Sequence, residues 1–130
     1  MSTTTTNKTP RTIIAADSAP TSAALDLRTA SGGMLTMKIT NAATGPTAQL
    51  TGTVYMAHSS SGTAPTLAGE GADWKTLYQF GGGTVANAVT PTSIEVSDGV
   101  GWLQVRFENA TGTAPKCEAY FTERTSYTTV

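Results

Sequence analysis

One histidine, one cysteine and nine scattered carboxylates are what this 130-residue chain offers to chemistry. His58 precedes Ser59, Ser60 and Ser61. A nucleophilic serine there would need His58 as its base and a carboxylate such as Asp73 or Asp98 to orient it. No nucleophile-elbow pattern surrounds any serine, and a histidine beside a serine-rich loop reads as an ordinary surface residue. A zinc site built on His58 and Cys117 would have to draw two or more further ligands from dispersed acids. None of those acids falls in the dense Asp/Asn/Gly spacing of a calcium loop. Glu108 and Glu118 flank one loop and could pair as a glycosidase dyad, but any two carboxylates across a hairpin could do the same, and solvation is the favoured reading. Gly81-Gly82-Gly83 lacks the Lys-Ser/Thr of a phosphate loop and has no helix to follow it. Asn109-Ala110-Thr111 fits the glycosylation pattern and is expected to stay unmodified without a secretory signal. The expectation is a non-enzyme with no catalytic residues, no cofactor and no metal.

The elements that would position any site are short strands. From Gly101, Leu103, Val105 and Phe107 alternate with Trp102, Gln104, Arg106 and Glu108. From Cys117, Ala119 and Phe121 alternate with Glu118, Tyr120 and Thr122. Period-two alternation marks strands with one dry and one wet face. Asn109 to Pro115 is turn-rich and predicts a link between antiparallel neighbours. Upstream, Leu35, Met37 and Ile39 alternate with Thr36, Lys38 and Thr40. Leu50, Val54 and Met56 share a face, with Gly52 marking a bulge or a close backbone approach. Asp98-Gly99 predicts a tight hairpin. The longest connection runs from His58 to about Asp73, a length associated with function or mobility. No sustained 3.6-residue stripe predicts a helix. The expected fold is all-β: a single antiparallel β-sandwich of seven to eight strands, Ig-like or jelly-roll, with an extended N-terminal arm. The arm is residues 1–16 and the sandwich domain 17–130.

Charged residues make up 13% of the chain, about half the usual share of roughly 25%. Threonine occurs 26 times; it is β-branched and suits a half-wet pleated surface. With a net charge of −1 and no basic block, there is little to hold nucleic-acid phosphates. No stretch reaches the ~18 apolar residues of a membrane span. Met1 to Lys8 has no apolar core, so secretion by a signal peptide is not expected. Cys117 is alone, on the inward phase of its strand, and reads as a small buried apolar residue.

Aromatic residues out of phase with the dry faces are the candidate contact residues. Tyr55, Trp102 and Tyr120 occupy wet-face positions unless an edge or a covering loop buries them, and exposed aromatics read as protein interface or sugar-stacking platform. In the polar arm, Ile13 and Ile14 are the first apolar pair and suggest an anchor. The candidate partner interface is therefore Ile13, Ile14, Tyr55, Trp102 and Tyr120.

The polar arm from Met1 to Pro10, the Thr-rich strands and the Gly/Ala/Pro loops together resemble small virion proteins of tailed bacteriophages, most closely capsid decoration (cement) proteins. The resemblance spans the chain as texture, without a diagnostic motif. It implies a structural subunit made in the host cytoplasm and carried in the virion, binding the major capsid protein or another virion lattice. It further implies a homo-oligomer, with a trimer favoured. Two other roles are compatible with the same residues: a tail, baseplate or head-fibre component, or a carbohydrate-binding module using Trp74, Trp102 or Tyr120.

Overall fold

A computed structural model describes the chain over residues 3–14, 21–58, 66 and 73–129, with side chains over 21–58, 66 and 73–124. Eight strands follow in order: β1 (Thr3–Ile14), β2 (Leu25–Asp26), β3 (Gly33–Thr40), β4 (Thr51–Ala57), β5 (Lys75–Gly81), β6 (Val89–Val96), β7 (Trp102–Glu108) and β8 (Lys116–Thr129). They form two four-stranded sheets, β1-β8-β3-β6 and β2-β7-β4-β5, and every pairing is antiparallel. The pairs nest as β1 with β8, β2 with β7, β3 with β6, and β4 with β5. A long two-stranded ribbon folded over on itself gives this order, which is the jelly-roll arrangement of the β-sandwich.

Alternation decides what lies between the sheets. Leu35, Met37 and Ile39 of β3, with Cys117, Ala119 and Phe121 of β8, line one inner face. Val54 of β4 and Leu103, Val105 and Phe107 of β7 line the other. All are buried and belong to one core cluster. Removing each large side chain from water contributes about 1.5–3 kcal/mol before entropy is counted. Cys117, in no disulfide, is a buried thiol in this row. Of the two alternatives for Gly52, a bulge or a close approach, the structure has the close approach, and the register shift of β4 falls between Val54 and Tyr55. The ladder partners of Gly52 are Phe80 and Phe107, whose rings meet edge to face at 6.1 Å.

Two local predictions about connections need correction. Strands β7 and β8 are not a hairpin: the 109–115 segment carries the chain from one sheet to the other. Asp98-Gly99 likewise links β6 and β7, which lie in different sheets. Turn chemistry reverses the chain, but it does not choose which sheet the next strand joins. Of the consecutive strands, only β4 and β5 pair directly. The N-terminal segment is extended, as expected, and is a strand in its own right, pairing with β8 from Thr3↔Thr129 to Ile14↔Ala119 with a register shift at Ile13.

Candidate functional site

The outer face of the β1-β8-β3-β6 sheet is the strongest candidate surface. Period-two geometry sends Tyr120 and Thr122 of β8, Met34, Thr36 and Lys38 of β3, and Ser93 and Glu95 of β6 outward. The register lines them up in cross-strand rows. Tyr120 and Ser93 flank Thr36, Thr122 and Glu95 flank Met34, and Glu118 and Pro91 flank Lys38. Tyr120 and Met34 are each 43% exposed, so the middle of the face presents an aromatic ring and a thioether between hydroxyls.

Charges on this face are matched within the chain. The carboxylate of Glu118 lies 3.8 Å from Lys38 Nζ and 3.3 Å from Lys116 Nζ, and it accepts a 3.5 Å contact from the Tyr120 hydroxyl. Arg124 Nη1 lies 3.9 Å from Glu95, while its Nε donates to the Ser31 carbonyl at 2.9 Å. An open recess of about 390 Å³ sits at this end, lined by Gly33, Met34, Glu95, Thr122 and Arg124. Surface pairs of this kind contribute about 0–1 kcal/mol each to stability. Among the described side chains they leave three cations, Lys38, Lys116 and Arg124, sharing two carboxylates, Glu95 and Glu118, so little net charge surrounds Tyr120 there.

The candidate interface residues separate. Tyr120 is on the exposed face. Tyr55 and Trp102 lie on the outer side of the other sheet, as their phase predicts, but both are buried, with only 6% of each exposed. They form a second small core with Ala57 and Trp74, against which Ala24 packs. The chain from Thr21 to Arg28 covers them. Thr21 bridges Arg106, Asp26 pairs with Trp102, and the Arg28 guanidinium sits 4.7 Å above the Trp102 ring. A bidentate pair with Asp26 holds Arg28 there, and that hydrogen bond raises the Arg28 pKa above its ordinary value. Expected exposure of Tyr55 and Trp102 is therefore corrected: they cluster with Trp74, Ala24 of the neighbouring edge segment packs against them, Arg28 lies over Trp102, and the Arg106 guanidinium lies 6.0 Å over Tyr55. The side chains of Ile13 and Ile14 lie outside the described residues.

The chemistry-bearing residues do not converge. His58 is exposed at the end of β4, and among the described residues no hydrogen bond or ion pair joins it to Asp73 or Asp98. Glu108 and Glu118 stand on strands of different sheets. Gly82 and Gly83 form a turn gripped by Asn41, whose Nδ2 donates to the carbonyls of Gly82, Gly83 and Val85 at 3.2, 3.3 and 2.9 Å. No group of three or more potential metal ligands occurs among the described residues. Most of the 58–73 loop lies outside the described residues.

Polar residues that the sequence did not single out hold this framework. Ser22 donates its N–H to the Val105 carbonyl at 2.9 Å and accepts from the Val105 N–H on its Oγ at 3.0 Å. Gln104 Nε2 donates to the Ser22 carbonyl at 2.7 Å. Ser22 thus ties the strap of residues 21–28 to β7 at Val105, beside the Thr21 bridge to Arg106 and the β2–β7 pairing.

No protein-family model matches the chain, and no curated protein matches it. Among solved structures, a cleaved adhesin domain of Lys-gingipain from Porphyromonas gingivalis aligns with a TM-score of 0.48 and 15% sequence identity, over 81% of this chain. The aligned region spans 62% of that adhesin chain, less than two thirds of its length.

Proposed function

We propose that this chain is a non-enzymatic structural subunit that docks onto a protein lattice through the outer face around Tyr120, as a decoration subunit on a tailed-bacteriophage capsid. The observation that carries the docking part is the face itself. An exposed aromatic stands among hydroxyls, and the charges around it are matched by neighbours in the same chain. Such a surface binds through shape, hydroxyl hydrogen bonds and apolar contact, with little dependence on salt. The capsid part rests on the resemblance in composition and arm. The jelly-roll is compatible with it, since capsid proteins use that fold, but so do lectins and cupins. Repetition over a shell would multiply a modest contact by avidity.

Co-sedimentation with purified empty heads tests this reading. Tyr120→Ala should weaken binding at least about tenfold, equivalent to ~1.4 kcal/mol, and leave the fold intact. Wild-type protein that pellets with no heads argues against the capsid assignment. Binding to a glycan array, lost on Tyr120→Ala, would instead favour the sugar-binding reading, to which Tyr120 also lends itself because Trp74 and Trp102 are buried.

A further inference from the structure

We propose that the free edge of β5 is a self-association surface, on which two copies of this chain pair their β5 strands antiparallel about a two-fold axis at Gln79. The two β2-β7-β4-β5 sheets would then become one sheet of eight strands. Among the described residues β5 and β6 each end their sheet, and they differ in what their outer edges offer. The Asn41 N–H donates to the Ala88 carbonyl. Counting along the β3–β6 register from that bond, Pro91 turns its missing donor toward the free side. A proline so placed blocks strand addition.

β5 carries no such block. Gly82 N–H donates to the Leu50 carbonyl at 3.0 Å, so alternation points the N–H and C=O of Gly81 and Gln79 away from β4. Leu77 is the extra residue at the shift between Val54↔Tyr78 and Tyr55↔Thr76, so β4 offers it no pairing partner. Lys75 to Gln79 are all exposed, and Leu77 and Tyr78 are each 37% exposed.

The sequence of this edge suits a second copy of itself. From Thr76 to Ile94 there is no charged residue, so two copies can meet without like charges in contact. Centred on Gln79, the pairing sets Tyr78 against Phe80 and Leu77 against Gly81. The aromatic pair would extend the stacked Tyr78–Phe80 row already present at 6.4 Å. The edge's one charge, Lys75, falls opposite Gly83. Its symmetry mate lies eight residues away, about 27 Å along the strands at ~3.4 Å per residue, well beyond the screening length. The product is a dimer and not the trimer implied by the phage resemblance.

Dimerisation through β5 and docking through Tyr120 use different surfaces, so either can fail alone. Light scattering over a dilution series to millimolar concentration should give the mass of two 13.4 kDa chains. Gln79→Lys places like charges opposite each other and should raise the dimer Kd at least about tenfold. Met34→Lys, on the other sheet, should not change it. Gln79→Cys should form an intermolecular disulfide, because opposed residues in a hydrogen-bonded pair have Cα atoms about 5.5 Å apart, within bridging range. Ser93→Cys should not, and the buried Cys117 does not compete. A monomer at millimolar concentration, a trimer, or cross-linking at Ser93→Cys as efficient as at Gln79→Cys would overturn the proposal.

Discussion

Gly52→Ala tests whether the core is as tightly closed as the geometry indicates. A Cβ on Gly52 would lie 2.5 Å from Phe80 Cε1 and 2.8 Å from Phe107 Cε1, whereas carbon atoms rest about 3.5–4.0 Å apart. Both rings would have to retreat by about 1 Å. Phe80, only partly buried, can retreat and lose its edge-to-face contact, whereas the buried Phe107 must shift within the packed core. Overpacking of this kind costs about 1–3 kcal/mol. Replacing a strand glycine returns about 0.5–1 kcal/mol of backbone entropy. Taking the middle of each range, the net destabilisation is about 1.3 kcal/mol. At ~2.1 cal/mol/K per residue the chain unfolds with an entropy of about 0.27 kcal/mol/K, so Tm should fall by about 5 °C. Thermal unfolding followed by near-ultraviolet circular dichroism and by calorimetry would measure it. In a Phe80→Leu background the same substitution should cost about 1 kcal/mol less, because the nearer of the two obstructing rings is gone. A Gly52→Ala variant with unchanged or raised Tm, or additivity with Phe80→Leu, would refute the reasoning.

Substitutions at two further positions probe the polar contacts that hold loop and strap. Asn41→Ala removes every side-chain donor to the Gly82, Gly83 and Val85 carbonyls and should cost about 1–3 kcal/mol in urea unfolding, with hydrogen exchange rising first over 82–88. Asn41→Asp should be worse at neutral pH, since it sets a buried carboxylate against carbonyl oxygens. Ser22→Ala leaves the Val105 N–H without its acceptor and should cost about 1–2 kcal/mol. It should also loosen the strap enough to shift tryptophan emission to the red, because Trp102 lies beneath it.

The dry faces were legible because burial between two sheets demands strict alternation. Leu35, Met37 and Ile39 could face only one way, and so could Leu103, Val105 and Phe107. Gly52 announced a bulge or a close approach. Sheet membership was not legible: Asn109 to Pro115 and Asp98-Gly99 carry the chemistry of reversal, and a reversal into the opposite sheet uses the same residues as a hairpin. Tyr55 and Trp102 read as exposed because their phase is outward. Their burial depends on Ala24 and Arg28, which no local pattern connects to them. Ser22 and Asn41 looked like any other polar residue in a chain rich in them.

The central claim is the proposal that this sandwich docks through its outer face around Tyr120. Titrating fluorescently labelled protein onto purified empty phage heads, at low and high salt, tests it most directly. Saturable binding that changes little with salt and weakens at least about tenfold on Tyr120→Ala is the predicted result. Binding that collapses with salt, or that Tyr120→Ala leaves untouched, would contradict it.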